Sequence, residues 1–288
     1  MKKFAVIDVG SNSVRLMLVA DGNVLYKALN TTRLGEGLAE KPVLRAGAIL
    51  RTATAVATFS ERAKQDGAEA VFAFATASVR SAENGYEFLE KAKALSGLDV
   101  EVISGEEEAE LGLLGALGTD DGAVIDVGGA STELVVKKEG VVVYKKSVDV
   151  GVVRIKDKLG RDKTAIENGL KKACDEFKDC PNIKTVVGIG GTATTLATLV
   201  LGLETYDSNQ VTGAVITRAE MSALADKLSK TSVFTIETYP CMPKGRADVL
   251  SGGAVWLSLV METLGIEKMV VSDKDNLEGF AIKRGLLR

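Results

Sequence analysis

Histidine is absent from this sequence of 288 residues. Its absence excludes histidine general bases, phosphohistidine intermediates and every metal site that depends on an imidazole ligand. The three cysteines, Cys174, Cys180 and Cys241, are too few for a disulfide framework, and their spacing matches no zinc pattern. Any catalysis must therefore use carboxylates, hydroxyls, backbone amides and a hard cation.

Long apolar runs are also missing, since no stretch reaches the roughly 18 residues that a membrane-spanning helix needs. The first residues, Met-Lys-Lys, lead into a polar turn and not into the apolar core of a signal peptide. With a net charge of -3, 46% hydrophobic and 26% charged residues, the composition indicates neither nucleic acid nor a membrane as partner. We expect a cytoplasmic protein of one large or two mid-sized domains.

What the sequence does contain is a long internal repeat. AVIDVGSNSVRLML at 5–18 and AVIDVGGASTELVV at 123–136 align without gaps, at a constant offset of 118 residues. Each copy begins with an apolar run that ends in an aspartate, Asp8 or Asp126, and continues through a Gly-x-x-Ser turn. A duplication on this scale favours two domains.

The apolar periodicity indicates that both halves are α/β. Each half opens with three short strands and continues with alternating helices and strands. We predict a first domain over 1–119 and a second over 120–288, with the last helix free to pack back on the first domain. The predicted strands are 4–8, 14–20, 22–30, 70–75, 99–103, 122–126, 132–137, 140–146, 184–188 and 268–271, and the predicted helices are 45–66, 83–95, 105–116, 164–178, 192–201, 217–229, 245–263 and 275–287.

The repeated turn has the composition of a phosphate-binding loop. Glycines let backbone amides approach an oxyanion beside the serine hydroxyl, and an aspartate at the end of a strand can hold a cation or a water. One such motif would be weak evidence, because glycine-rich hairpins with a leading aspartate are common turns. Two copies, each opening an α/β half, favour phosphate bound with Mg²⁺. The residues predicted to hold phosphate are Gly10, Ser11, Asn12 and Ser13 in the first copy and Gly128, Gly129 and Ser131 in the second.

A third glycine-rich turn lies in GIGGTATTLA, residues 188–197. It follows an apolar run and opens a predicted helix, so Gly190, Gly191 and Thr192 would present amides and a hydroxyl at the positive end of that helix. The same pattern is also ordinary strand-to-helix turn chemistry, and both interpretations stand at this point.

Eight stretches spread over the chain form one pattern. They are IDVGSNSVRL at 7–16, ATASVRSAENG at 75–85, ISGEEEAELG at 103–112, IDVGGASTEL at 125–134, VGVVRI at 150–155, GIGGTATTLA at 188–197, GRADVLSGGA at 245–254 and VSDKDNLEG at 271–279. This pattern resembles that of the actin-like phosphotransferases, and specifically the exopolyphosphatase/guanosine pentaphosphate phosphohydrolase family. The resemblance implies two duplicated ribonuclease-H-like domains flanking a central cleft, and by analogy with the family a homodimer.

The resemblance assigns the catalytic chemistry to carboxylates. The family's general base aligns with Glu108, and a carboxylate can activate water beside phosphate when a cation and burial tune it. Asp126 and Glu133 match positions that bind Mg²⁺ or organise the attacking water. Asp8, at the corresponding place in the first copy, is a further candidate ligand for the metal.

Three of the arginines in the matched stretches are candidates for a role at the site. Arg80 is inside the family's arginine-bearing motif, where a planar guanidinium suits phosphate, and we predict a phosphate contact. Arg15 occupies in the first copy the place of Glu133 in the second, and we predict a solvated strand residue. Arg246 precedes a helix and is equally consistent with a phosphate contact and with an ordinary helix salt bridge.

The chain also departs from the longer members of the family. It has no counterpart of their helical domain with a histidine-aspartate signature, and Glu278 stands where they usually have arginine. These departures weaken the expectation of a channel for long polymers and leave the chemistry intact.

The function that follows is a Mg²⁺-dependent phosphoanhydride hydrolase, with inorganic polyphosphate releasing orthophosphate as the leading expectation and guanosine pentaphosphate as the alternative substrate. An ATP-dependent sugar or acid kinase would share the loops but would need an adenosine pocket and an acceptor. A non-catalytic nucleotide or polyphosphate sensor would bind without releasing phosphate. The joint presence of Glu108, Asp126 and Glu133 argues against a sensor.

Overall fold

The computed structural model describes residues 2–287 of the chain. The elements of its first half are the strands β1 (Lys3–Val9), β2 (Ser13–Ala20), β3 (Asn23–Thr31), β4 (Ala70–Ala75) and β5 (Val100–Val102) and the helices α1 (Ala46–Gln65), α2 (Ala77–Ser81), α3 (Gly85–Ser96) and α4 (Gly105–Leu117).

The second half begins with the same order of elements and is longer. Its strands are β6 (Gly122–Val127), β7 (Thr132–Lys138), β8 (Val141–Val148), β9 (Thr185–Ile189), β10 (Val215–Thr217) and β11 (Lys268–Val271). Its helices are α5 (Val152–Leu159), α6 (Lys163–Cys174), α7 (Gly190–Leu201), α8 (Ser208–Val211), α9 (Arg218–Lys230), α10 (Val233–Glu237), α11 (Ala247–Thr263) and α12 (Asn276–Lys283), with a 3₁₀ turn at Asp175–Phe177.

The two sheets are built on one plan. The five-stranded sheet has the order β3-β2-β1-β4-β5, and the six-stranded sheet has the order β10-β11-β9-β6-β7-β8. In each, a meander of three antiparallel strands is extended by parallel strands, through β1 with β4 and through β6 with β9. The duplication read from the sequence is therefore a duplication of sheet topology.

The strands β1 and β6 lie inside their sheets, which explains their continuous apolar sequences. Residues 5–9 and 123–127 are all buried, as expected of strands covered on both faces. Because the carboxyl end of β1 lies beside that of β4, and the carboxyl end of β6 beside that of β9, each aspartate and its turn sit at the edge where α/β sheets bind ligands.

Helices α4 and α12 lie side by side between the two sheets. The last helix returns to the first sheet, where Phe280 stacks on Phe74 of β4 with ring centroids 4.9 Å apart. Helix α4 instead packs Ala109 and Leu113 against β6, β7 and β9 of the second sheet. This packing carries Glu108, in the first turn of α4, toward the glycine turn of the second repeat copy.

The structure confirms the predicted α/β elements and corrects some ends. The helix predicted over 164–178 ends at Cys174 and gives way to the 3₁₀ turn. The helix predicted over 275–287 ends at Lys283, because Gly285 adopts a left-handed backbone with φ 69°. The short elements α2, α5, α8, α10 and β10 were not predicted, because their few residues give little periodic signal.

None of the helices within residues 2–287 combines the length and the apolarity needed to cross a membrane. The three cysteines are free thiols.

Candidate active site

A cavity of about 330 Å³ opens between the carboxyl ends of the two sheets. The glycine turns of both repeat copies and the start of α7 line it, together with Asp8, Glu108 and Asp126. Arg80 and Glu133 lie behind this surface. The predicted phosphate-holding residues that line the cavity are Gly10, Ser11, Asn12, Ser13, Gly128, Gly129, Ser131, Gly190, Gly191 and Thr192.

The two repeated turns face each other at van der Waals distance. Each is closed by a backbone hydrogen bond of 3.0 Å from its first glycine amide to the serine carbonyl. A Cβ atom on Gly129 would lie 2.7 Å from the Cβ of Ser11 and 3.0 Å from the amide nitrogen of Asn12. Only glycine permits this approach, so the sequence of the second turn fixes how closely the two loops meet.

The third glycine turn lies against the second copy of the repeat. Gly190 has φ 75°, and a Cβ there would be 2.4 Å from Oδ1 of Asp126. The Thr192 hydroxyl, which we expected to face the anion, donates to the carbonyl of Val127 at 2.7 Å. The available donors at the start of α7 are thus backbone amides, at the positive end of the helix.

Three buried carboxyl groups lie at the bottom of the cleft. Burial raises the pKa of Glu108 well above its usual range, and Glu133 and Asp126 raise it further. Burial and then Glu133 likewise raise the pKa of Asp126. Burial raises the pKa of Glu133 to about 7, although hydrogen bonds from Ser147 and Ser131 oppose the rise. Without a cation, burial therefore favours the protonated form of each of these groups.

Arg80 contacts the predicted base and not the cavity. Its Nη1 donates to the carbonyl of Ile103 at 2.7 Å and to Oε2 of Glu108 at 3.3 Å. The guanidinium lowers the pKa of Glu108, against the larger effect of burial. In this arrangement Arg80 orients and tunes Glu108.

Asp126 and Glu133 face each other as cross-strand partners on β6 and β7. The amide of Asn276 donates to Oδ2 of Asp126 at 3.4 Å, and the hydroxyl of Ser147 donates to Oε1 of Glu133 at 2.7 Å. Oε2 of Glu133 and Oδ1 of Asp8 are buried and have no hydrogen-bond partner within the described residues. Two negative charges opposite each other repel, so binding of a cation would stabilise the pair.

The donor set fits Mg²⁺ only if the substrate completes it. Among residues 2–287 no cluster of three or more acidic or cysteine side chains is arranged to hold a metal by itself. Mg²⁺ is commonly held by one or two carboxylates together with phosphate oxygens and water. The unpartnered oxygens of Glu133 and Asp8 and the carboxylate of Asp126 offer hard ligands of that kind.

The prediction that Arg15 is a solvated strand residue is wrong. Its side chain is only 20% exposed and forms ion pairs with Asp8 and Asp275 inside the cleft. Its Nε also donates to Oδ2 of Asp8 at 3.0 Å. The cause is cross-strand register, because Arg15 on β2 lies directly opposite Asp8 on β1. The alignment of the two copies contained this signal, since it places Arg15 at the position of Glu133.

Arg246 lies over the third glycine turn. It is 8% exposed, and none of the described residues forms a salt bridge with it. Burial and the nearby Arg15 lower the pKa of Arg246 to about 10. A Cβ on Gly191 would touch its guanidinium at 2.3 Å. Of the two interpretations of this residue, the ordinary helix salt bridge is excluded, and a buried cation beside helix amides suits an anion.

Several lining residues carried no prediction of a site role. Asp275 and Asn276 belong to the matched stretch 271–279, which was the available signal, whereas Lys27 and Tyr206 lie outside every motif. Only the fold brings them to the cavity.

Comparison with known proteins agrees with this geometry. The model of the Ppx/GppA phosphatase family matches residues 6–284. The chain is similar to exopolyphosphatase 2 of Mycobacterium tuberculosis, with 31% identity over 315 residues and 98% of each chain covered. It is also similar to the guanosine-5'-triphosphate,3'-diphosphate pyrophosphatase of Vibrio vulnificus, with 30% identity over 302 residues, which cover 98% of this chain and 58% of that protein.

A solved structure extends the similarity to the fold. The Ppx/GppA family member of Aquifex aeolicus superposes with a TM-score of 0.80 at 29% identity, covering 99% of this chain and 98% of that one. The expected fold class, duplicated actin-like domains around a cleft, is confirmed, and so is the expectation of a hydrolase. By its motifs, its fold and its full-length similarity, the chain belongs to the Ppx/GppA phosphatase family.

Proposed function

We propose that the chain is a Mg²⁺-dependent phosphoanhydride hydrolase that releases orthophosphate from the end of inorganic polyphosphate. The observation that carries the proposal is the buried carboxyl cluster of Glu108, Asp126 and Glu133, which lies beside three glycine turns that line one cavity. Carboxyl groups with raised pKa in a cleft are typical of sites that bind cations or move protons.

In this proposal the phosphate chain is bound by backbone amides and by Arg246. The turns of both copies and the start of α7 donate to phosphate oxygens, and Arg246 supplies a buried positive charge. These donors are fixed by the fold before substrate arrives. They can therefore stabilise the charge that develops on the equatorial oxygens in the transition state.

The metal would be held by Asp126 and Glu133, with Asp8 as a further ligand. Bound there, Mg²⁺ would neutralise phosphate charge and favour the ionised form of the surrounding carboxyl groups. The pKa values of Glu108, Asp126 and Glu133 are raised, which opposes ionisation of these groups. A bound cation would favour the ionised form and would therefore allow Glu108 to act as a base at neutral pH.

Glu108 would act as the general base. Its carboxylate takes a proton from water, the water oxygen bonds to the terminal phosphorus, and the bridging P–O bond breaks so that the shortened chain leaves with the bridging oxygen. Arg80, hydrogen-bonded to Glu108, orients the carboxylate and keeps its pKa from rising further. Release of the proton from Glu108 completes the cycle.

The test is orthophosphate release from polyphosphate with Mg²⁺ by the wild type and by Glu108→Gln. We expect a loss of at least about 100-fold, the lower range for a general base. Glu110→Gln is the matched control, because Glu110 lies on the exposed face of the same helix and pairs with Lys145. Equal release by Glu108→Gln and wild type would refute the assignment of the base.

Guanosine pentaphosphate is the second candidate substrate. Ala28, Leu29, Tyr206 and Pro243 also line the cavity, and these side chains offer little to a bare phosphate chain and suit a nucleoside. Similar proteins that carry this activity in their names are longer, since the chain spans 58% of the Vibrio vulnificus protein. Comparing kcat/KM for the two substrates decides between them.

We also propose how the chain is organised and where it works. Residues 1–119 and 120–288 would form the two domains, with α12 packed on the first sheet. The protein would act in the cytoplasm, where free thiols stay reduced, and as a homodimer. Light scattering during size-exclusion chromatography measures the oligomeric state directly.

A further inference from the structure

One end of the cavity is crossed by a bridge between the two halves of the molecule. Lys27, on β3 of the first sheet, donates from Nζ to the carbonyl of Asp273 at 2.6 Å and to its Oδ2 at 3.3 Å. The same ammonium forms an ion pair with Oε1 of Glu278 at 2.6 Å. Asp273 follows β11 of the second sheet, so Lys27 joins the opposite walls of the cleft.

Asp273 is also fixed from the other direction. The Tyr206 hydroxyl, in the segment after α7, donates to Oδ1 of Asp273. The amide of Asp273 donates to Oγ1 of Thr212 at 3.1 Å. Its amide, its carbonyl and both carboxylate oxygens are thus all engaged, and Lys27, Asp273 and Tyr206 each line the cavity. We call these three residues the end wall.

The charge at this end of the cleft is unfavourable for a polyphosphate chain that extends into it. Lys27 is already matched by two carboxylates, and the neighbouring Arg15 is matched by Asp8 and Asp275. Among the described lining residues, the arginine without a salt bridge is Arg246, which lies over the third glycine turn. Phosphates that extended past Arg15 toward the end wall would meet carboxylates whose cations are already engaged.

Glu278 adds a second carboxylate to this arrangement. Its Oε1 pairs with Lys27 at 2.6 Å, and its Oε2 caps α12 by accepting from the amide of Asp275 at 2.9 Å. The positive charge of Lys27 is therefore balanced within the protein.

The size of the cavity agrees with this picture. A volume of about 330 Å³ is near the lower limit of the range for small-molecule sites. Such a cavity encloses a compact ligand, and a long polymer would have to leave it through an open end.

We propose that the end wall formed by Lys27, Asp273 and Tyr206 makes the site select short phosphoanhydrides over long-chain polyphosphate. This inference rests on the proposed hydrolase function and specifies its substrate class. The end wall acts by closing the cleft and by presenting carboxylates to any further phosphate. Asp273 is the central residue, because both other members bind to it.

The experiment compares kcat/KM for tripolyphosphate and for long-chain polyphosphate, each with Mg²⁺. Wild type should prefer tripolyphosphate. In Asp273→Ala the ratio of kcat/KM for long-chain polyphosphate to kcat/KM for tripolyphosphate should rise by about tenfold or more. The rise should come mainly from a lower KM for the long chain, because the variant removes both a repulsive charge and a barrier. Tyr206→Phe should raise the ratio less, and Asp120→Ala, an exposed carboxylate in a turn, should leave it unchanged.

Equilibrium binding provides a second readout. Calorimetric titration of Glu108→Gln with tripolyphosphate and with long-chain polyphosphate should give the same preference, and adding Asp273→Ala to this variant should remove it. If wild type releases phosphate from neither substrate, the proposed hydrolase fails, while the binding ratio still tests the end wall.

The proposal is overturned if wild type uses long chains as efficiently as tripolyphosphate. It is equally overturned if the ratio is unchanged in Asp273→Ala while circular dichroism and thermal melting match wild type. If Asp273→Ala does not fold, Tyr206→Phe carries the test, because it keeps the ring and removes only the hydroxyl that binds Asp273.

Discussion

The two copies of the opening repeat have the same backbone and opposite electrostatics. In the first copy Asp8 lies opposite Arg15, and in the second copy Asp126 lies opposite Glu133, in the same cross-strand register. The first pair is an ion pair within the protein. The second is a pair of like charges, in which the pKa of both carboxyl groups is raised.

The two copies therefore share a topology and differ in charge. In the first copy the ion pair balances the charge of Asp8 within the protein. The like-charge pair stores an unfavourable interaction that a cation would relieve. Burying such a pair lowers stability in the absence of metal, which is a reason to look for function there.

Making the second copy resemble the first should have the largest effect. In Glu133→Arg the new guanidinium can pair with Asp126, so the site should lose its attraction for Mg²⁺. We expect phosphate release to fall by roughly 10³-fold, since metal catalysis supplies several kcal/mol. Activity is measured as orthophosphate release with Mg²⁺, with thermal melting as the check of folding. Glu139→Arg, in the exposed turn after β7, is the control, and activity within tenfold of wild type would contradict the metal role of Glu133.

Breaking the ion pair of the first copy should have the next largest effect. Arg15→Met leaves the buried carboxylates of Asp8 and Asp275 without their cation. We expect the free energy of unfolding to fall by about 3 to 5 kcal/mol, as for other buried pairs that lose one partner. Urea unfolding measures it. Arg62→Met, at an exposed pair with Asp66, should cost under about 1 kcal/mol, and a similar loss in both variants would show that the first copy is not special.

The third prediction concerns pH and the second copy. The pKa of Glu133 is about 7 in the folded protein and near 4.5 in the unfolded chain. Between these values the folded state keeps a proton that the unfolded state has released, so rising pH lowers the contribution of Glu133 to stability. In metal-free protein, Glu133→Gln should therefore be more stable than wild type by about 3 kcal/mol near pH 8, with no gain near pH 4.

Urea unfolding in a chelating buffer at both pH values measures this difference. Glu90→Gln, an exposed carboxylate on α3, is the control. A gain of equal size at both pH values would mean that the variant acts through packing and not through ionisation.

The smallest expected effect concerns the contact between the glycine turns of the two copies. Gly129→Ala would place a methyl group 2.7 Å from the Cβ of Ser11, so one of the two loops must shift. We expect a loss of about 1 kcal/mol or slightly more in urea unfolding, as for other overpacked sites. Gly128→Ala, in the same turn, would place its methyl group 3.4 Å from the carbonyl oxygen of Ser131 and should cost less. Equal losses would indicate that the loops do not press on each other.

Much of the fold was predictable because its signals are local. The apolar runs of β1 and β6, the glycine turns and the helix over 46–65 follow from periodicity and turn chemistry within a few residues. The N-cap of α4 is equally local, with the hydroxyl of Ser104 accepting from the amide of Glu107 at 3.1 Å. The short elements could not be predicted from the sequence, because they depend on packing against other parts of the chain and not on a local pattern.

The site was predictable in part, and the limit is distance along the chain. Lys27 and Asp273 are separated by 246 residues and meet only because β3 and β11 face the same cleft. The interpretation of Arg15 as solvated used its strand position and ignored its cross-strand partner. If β1 and β2 are paired as a hairpin in the register that the turn sets, Asp8 lies opposite Arg15. This pairing can be worked out from the sequence alone.

Local sequence patterns specify that two α/β halves each carry an aspartate and a glycine turn at a strand end, because these patterns lie within single segments. The pairing of charges, the burial of carboxyl groups and the closure of the cleft follow from tertiary packing. Those properties depend on desolvation and on contacts between residues far apart in the chain, such as Lys27 with Asp273 and α12 with the first sheet. A local pattern can name the groups that take part in the chemistry, whereas their ionisation follows from the packing around them.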